Sequence, residues 1–126
     1  MKKVILASVL STVAMTSMVD ANAATSGVVC AAPTAASNGS LTVDTAATNE
    51  MVVNAFTPKC SANVHMVYDQ GKAYFRVGSV SSAGGRSFRG STAGGSVTSD
   101  ATCAGTNCSS TAASSALTST SNPTAG

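Results

Sequence analysis

NVHMVYDQGKAYFRVGSV, the stretch from Asn63 to Val80, decides the fold of this chain. In an extended backbone Val64, Met66 and Tyr68 point to one side, and Ala73, Phe75 and Val77 repeat the period of two after the break. Asp69-Gln70-Gly71 supplies turn residues between the two runs, so the segment predicts a β-hairpin with a second strand over Lys72–Val80. Ser81-Ser82-Ala83-Gly84-Gly85 makes a second turn, and Arg86–Arg89 with Val97 supplies one or two further strands interrupted by Gly90 and Gly94-Gly95.

Upstream of the hairpin the pattern weakens. Leu41-Thr42-Val43 opens the central apolar region, and Glu50–Phe56 alternates Met51, Val53 and Ala55 against Val52, Asn54 and Phe56. A helix from Thr45 to Ala55 competes, with Asp44 as its cap and Ala47, Met51 and Ala55 at helical spacing; paired Val52-Val53 followed by Asn54 favours strand. Residues Ala24–Ser40 read as loop, with Pro33 and Asn38-Gly39-Ser40 as turn signals and Val28-Val29-Cys30 as a short edge strand.

At the amino terminus, Lys2 and Lys3 precede an apolar run over Val4–Ala14, and Asp20-Ala21-Asn22-Ala23 ends in the small residues that signal peptidase reads. The expectation is bacterial Sec export, from a Gram-negative source, with cleavage between Ala23 and Ala24 and excision of the signal helix. Signal peptidase and the Sec machinery are then the first partners, and the destination is the periplasm, the cell surface or the medium. The run is too short to span a bilayer, where roughly 20 residues are needed, and no second run follows. The first cysteine, Cys30, lies too far from the cleavage site for a lipid anchor.

Removing residues 1–23 from 126 leaves 103. Of these, nineteen are Val, Leu, Met, Phe or Tyr, and fifteen of the nineteen fall between Leu41 and Phe88. So small a core calls for covalent reinforcement. Four cysteines in an exported chain predict two disulfides, assigned as Cys30–Cys60 and Cys103–Cys108. Loop-closure entropy makes the first worth ~3.5 kcal/mol and the second ~2 kcal/mol. With no Cys-x-x-Cys and His65 the only histidine, structural zinc is not expected, nor is any cofactor.

The sequence therefore predicts a mainly β protein, a small antiparallel sheet or sandwich stapled by disulfides. It divides into the signal (1–23), an amino-terminal loop segment with an edge strand (24–40), a β core (41–97), and a cysteine-containing loop with a Ser/Thr-rich tail (98–126). Ten of the sixteen residues in Ser109–Thr124 are serine or threonine, with Leu117 the one large apolar side chain, so the tail is expected to be disordered.

Functional signals are sparse. No Gly-x-Ser-x-Gly elbow is present, and Gly84-Gly85-Arg86-Ser87 lacks the glycine and lysine of a phosphate loop, so no catalytic residue is assigned. His65 and Asp69 on the hairpin are the one pair on which a small hydrolase could be built. Lys72, Tyr74 and Arg76 share a strand parity, and Arg86, Phe88 and Arg89 follow nearby; interleaved cations and rings are how a sheet holds a polyanion, although Arg86 and Arg89 differ in parity. Excising Lys2, Lys3 and Asp20 with the signal leaves five cations (Lys59, Lys72, Arg76, Arg86, Arg89) against four carboxylates (Asp44, Glu50, Asp69, Asp100). A net charge of about +1 gives no field for nucleic acid and little repulsion between copies.

The Gly-, Ser-, Ala- and Thr-rich composition over a sparse β core resembles that of secreted fibre and surface-layer subunits in general. Chaperone–usher pilins share export, a disulfide and β richness, but their aromatic carboxyl-terminal ending is missing here. The functional expectation is a secreted structural or surface-interaction protein that self-assembles or meets a surface partner. Binding of an extracellular polyanion is the alternative.

Overall fold

The computed structural model describes residues 25–43, 50–94, 96–103, 107–119, 122 and 124. The signal segment and the Ala23–Ala24 junction lie outside the described residues. In chain order the elements are β1 (Thr25–Ala31), β2 (Ser37–Asn38), β3 (Lys59–Cys60), β4 (Val64–Gln70), β5 (Phe75–Ser81), β6 (Arg86–Ser91), β7 (Thr98–Thr102) and α1 (Ser110–Thr118). Five strands form an antiparallel sheet in the order β1-β4-β5-β6-β7, and β2 pairs with β3 in a separate ribbon. The mainly β, antiparallel, doubly disulfide-bonded architecture agrees with the sequence reading.

The Asn63–Val80 hairpin is present as β4 and β5, with Val64 opposite Ser81 and Gln70 opposite Phe75. Its turn lies further along than expected. Asp69 and Gln70 stay in the ladder, Gly71 N–H donates to the Tyr74 carbonyl (2.9 Å), and Lys72 to Tyr74 form the connection. The ladder extends because both residues have partners there: Asp69 faces Arg76, and the Gln70 side chain is tied to Glu50 and Val52.

The register fixes two faces. Val67, Gly78 and Val80 lie on one, against α1; Met66, Tyr68 and Val77 lie on the other, over the segment that carries Leu41 and Cys60. Tyr68, fully buried, anchors this second layer: its hydroxyl donates to the Thr42 carbonyl (2.6 Å) and its ring stacks on Phe75 at 6.0 Å. The Cys30–Cys60 disulfide, with Cα atoms 5.7 Å apart, joins β1 to β3 inside this layer.

Several expectations are corrected. The amino-terminal edge strand is longer than Val28–Cys30, covering seven residues that pair with β4 and bulge at Val29. Glu50–Phe56 is not a strand: Met51 N–H donates to the Gly71 carbonyl (3.1 Å), Val52 N–H donates to Gln70 Oε1 (3.0 Å), and only Phe56 bridges to Leu41. These bonds hold the segment as a loop against the hairpin end, and they take up amides that a strand would give to a ladder. Of the rival helix over Thr45–Ala55, residues 45–49 lie outside the described residues and 50–55 are not helical. Residues 98–102, expected as loop, form β7.

The largest departure is α1, which occupies Ser110–Thr118 where disorder is expected. A nine-residue helix with no side-chain cap bond at Ser109 is marginal alone. Docking sustains it: Ala113, Ala116 and Leu117 are buried, Ala113 and Leu117 in a cluster with Val67, Val80 and Cys108. Two fasteners assist. Cys103–Cys108 ties its entry to the end of β7, and the buried Asn122 side chain donates to the carbonyls of Leu117 (3.0 Å), Val77 (3.3 Å) and Ala116 (3.4 Å). Asn122 thereby serves two carbonyls at the helix end, sharing that of Ala116 with the Ser119 N–H (3.4 Å). Counting large apolar side chains misses this packing because two of its three buried helical residues are alanine.

Candidate functional site

The five residues expected to gather as a polyanion site are divided by the fold. Lys72 and Tyr74 fall in the β4–β5 connection, so strand parity does not set their direction. Arg76, on β5, lies on the helix face opposite Asp69 of β4. Its Nε and Nη2 donate to Asp69 Oδ2 at 2.8 and 2.7 Å, and its Nη1 donates to the Asn122 carbonyl at 3.3 Å. Arg76 thus clamps hairpin to helix end. The Tyr74 hydroxyl completes the cluster, 3.4 Å from Asp69 Oδ2, with the Arg76 guanidinium 5.7 Å from its ring centroid. Burial pushes the Tyr74 phenol above its ordinary pKa of 10.0; the Asp69 charge and hydrogen bond push the same way, and Arg76 opposes them.

Arg89 is also engaged, in an ion pair with Asp100 across β6 and β7. Arg86 and Phe88 lie on the opposite face of β6 from Arg89, as parity requires, and both are exposed. His65 and Asp69 lie on the same face of β4, four residues apart, which places them roughly 13 Å from each other along the strand. Asp69 is held by Arg76, so the pair on which a hydrolase would be built is not brought together. All four cysteines are in the two assigned disulfides, which fits a small domain in an oxidising compartment such as the periplasm or the cell exterior.

The most distinctive surface is one the sequence does not single out. On the face opposite α1, the Leu41–Cys60 layer packs on β1, β4 and β5, while the β6–β7 side carries Phe88 and Val97 at 45% and 72% exposure. Val97 lies over Gly90: a Cβ there would stand 3.1 Å from Val97 Cγ2 and 3.8 Å from Val77 Cγ2, so the patch is continuous with Val77 of the sheet. β7 closes this side of the sheet as its last strand, and its side chains at Thr98, Ser99 and Thr102 are exposed and uncharged. Its one charge, Asp100, is turned to Arg89. At the other edge, a groove of about 450 Å³ runs beside β1, lined by Val28, Cys30, Pro33, Ser37 and Ser40 among others. That edge is partly closed, since Ser40 N–H donates to the Val29 carbonyl (3.2 Å).

Among the described residues no helix is long and apolar enough to cross a membrane. No family model matches the sequence, and no curated protein or solved structure is significantly similar to it.

Proposed function

We propose that this chain is an exported bacterial structural or surface-interaction protein, without catalysis, that self-associates by pairing β7 with β7 of a second copy. The observation that carries the reading is the β7 edge, which no described strand pairs with beyond β6, beside the exposed Phe88–Val97 patch. Natural sheets usually block an open edge with lysine, proline or a covering loop. β7 has no lysine or proline, and its aspartate is held by Arg89. A two-fold axis normal to the sheet would run the two edge strands antiparallel and keep both patches on one side. Phe88 and Val97 of each copy would then form one apolar strip across a ten-stranded sheet. A near-neutral mature charge leaves little repulsion to oppose it.

Sedimentation velocity of the mature protein tests this, with dimers or larger species expected. Val97→Lys, which places a charge on an already exposed position, should yield monomer without loss of fold. A monodisperse monomer across the accessible concentration range, together with no fibres and no surface-bound fraction from producing cells, refutes the assembly.

Arg86 beside exposed Phe88 favours a second reading, an extracellular polyanion-binding module on the same patch. It predicts retention on heparin that salt abolishes. Arg86→Ala should weaken that retention more than Arg89→Ala, because Arg89 is neutralised by Asp100.

A further inference from the structure

We infer that the Cys103–Cys108 disulfide is a site of thiol–disulfide exchange for a dithiol reductant, and that opening it releases the entry of α1 from the sheet. The inference needs neither the assembly nor the polyanion reading; it rests on what each disulfide holds and on how each can be reached.

The two disulfides differ in access. Cys30 and Cys60 are 5% and 2% exposed and sit in one cluster with Val29, Leu41 and Tyr68. Cys108 is buried to the same degree, but Cys103 is only partly buried. It lines a cavity of about 210 Å³ together with Asn107, Ser109, Thr111, Ala112 and Ser115. Those five side chains are uncharged, so an incoming thiolate meets no carboxylate among them. The groove beside β1 also borders Cys30 and Cys60, yet neither residue is more than 5% exposed, and attack there waits on opening of the layer.

Access decides which sulfur is attacked. A thiolate of the reductant attacks Cys103 Sγ, the bond between the two Sγ atoms breaks, and Cys108 leaves as a thiolate that takes up a proton. The second thiol of the reductant gives up its proton and attacks the reductant's own sulfur in the mixed disulfide. The reductant departs as a disulfide, and Cys103 is released as a thiolate that is protonated in turn. One dithiol is oxidised and two cysteines are reduced. The Cys108 thiol finds an acceptor already in place, since its Sγ lies 3.0 Å from the Gly84 carbonyl oxygen.

The consequence falls on α1, which is fastened at both ends. Its exit is held by Asn122, whose own carbonyl accepts from Arg76 Nη1 at 3.3 Å. At its entry Ser109 makes no side-chain cap bond, and the disulfide joins Cys108 to Cys103, whose N–H donates to the Gly85 carbonyl at 3.0 Å. Reduction removes this covalent tie, and a nine-residue helix has little stability of its own with which to resist fraying. Val67 and Val80, 8% and 2% exposed beneath the helix, are uncovered as it frays. The sheet survives, because Cys103–Cys108 closes a loop with a sequence separation of 5 against 30 for Cys30–Cys60, and a shorter loop contributes less to stability. The bond is a latch whose opening bares apolar surface on a folded sheet.

The test treats the oxidised protein with a low concentration of dithiothreitol under native conditions, traps thiols with iodoacetamide at intervals and maps them by mass spectrometry. Cys103 and Cys108 should be labelled about ten-fold ahead of Cys30 and Cys60, whose reduction needs a larger opening of the structure. After that first reduction the amides of Ser114, Ser115 and Ala116 should exchange hydrogen about thirty-fold faster, the loss expected for a loop of this length. Those of Val67 and Tyr68 should remain the slower set. Labelling of Cys30 and Cys60 as early as Cys103 and Cys108, or earlier, overturns the site. Selective labelling with unchanged exchange in α1 overturns the release. A variant with Cys103→Ser and Cys108→Ser should reproduce the faster exchange without reductant, and exchange in α1 as slow as in the oxidised protein overturns the release independently. If that variant does not fold, the labelling order and the exchange of the unaltered protein still decide.

Discussion

Gly78→Ala should detach α1 from the sheet, and its cost can be worked from contacts. A Cβ at position 78 would run into the Ala113 carbonyl oxygen, stand 2.6 Å from Leu117 N and 3.0 Å from Leu117 Cβ. Two of these three atoms belong to the helix backbone, so no rotamer change relieves the collision. The helix must retreat as a body. Leu117, Ala113 and Ala116 are buried beneath it. Full exposure forfeits roughly 2 kcal/mol for the leucine and about 0.8 kcal/mol for each alanine methyl. Replacing glycine by alanine returns about 0.4–1 kcal/mol by narrowing the unfolded ensemble. The net expectation is a loss of about 2–3 kcal/mol, read by urea denaturation with both disulfides intact. Hydrogen exchange localises it: the amides of Ala116, Leu117 and Thr118 should lose protection while those of Val67 and Tyr68 keep theirs. Unchanged stability with full protection of α1 would refute the packing of α1 on β5 and, with it, the claim that docking sustains this helix.

Asn122→Ala removes the donors that serve the carbonyls of Val77, Ala116 and Leu117, and should cost about 1–3 kcal/mol in the same denaturation assay. Breaking Cys30–Cys60 by paired serine substitution should cost ~3.5 kcal/mol, against ~2 kcal/mol for Cys103–Cys108, so the two variants should unfold in that order. Tyr74 should titrate above 10.0 by phenolate absorbance, and Asp69→Asn should bring it down. Because the folded phenol holds its proton longer than the unfolded one, its contribution to stability is present below pH 10 and is lost as the pH rises through the elevated folded value.

The hairpin and both disulfide pairings are legible in the sequence because each rests on a local or combinatorial rule: period-two alternation around Gly71, and cysteine parity with few pairings. What escapes is decided by side-chain partners distant in sequence. Nothing near Asp69 announces that Arg76 will keep it in the ladder and move the turn onward. The alternation of Glu50–Phe56 is genuine, yet Gln70 and Gly71 take the amides of Met51 and Val52. The helix over Ser110–Thr118 is hidden for a different reason. Its contact is made by small residues on both sides, Gly78 on the sheet and two alanines on the helix, and close backbone approach does not register as hydrophobic pattern. The cationic cluster scatters because proximity in sequence does not fix the face, and two of its arginines serve carboxylates within the fold.

The same composition that hides the helix constrains what can cover Phe88 and Val97. One face of the sheet is taken by α1, and among the described residues the layer carrying Leu41 and Cys60 packs on β1, β4 and β5 of the other. Beyond Val97 the chain contains a single large apolar side chain, Leu117, and it is already buried beneath the helix. Residues 119–126 bring no large apolar side chain to the patch, and among the described residues Phe88 and Val97 stay 45% and 72% exposed. A second copy is the source of cover that the assembly reading supplies. A charge at Val97 discriminates: with cover from a second copy it costs association, and without cover it costs nothing, because the side chain is already 72% exposed. Val97→Lys that leaves both the sedimentation coefficient and the denaturation midpoint unchanged would place the patch in open solvent and remove the apolar half of the argument for assembly.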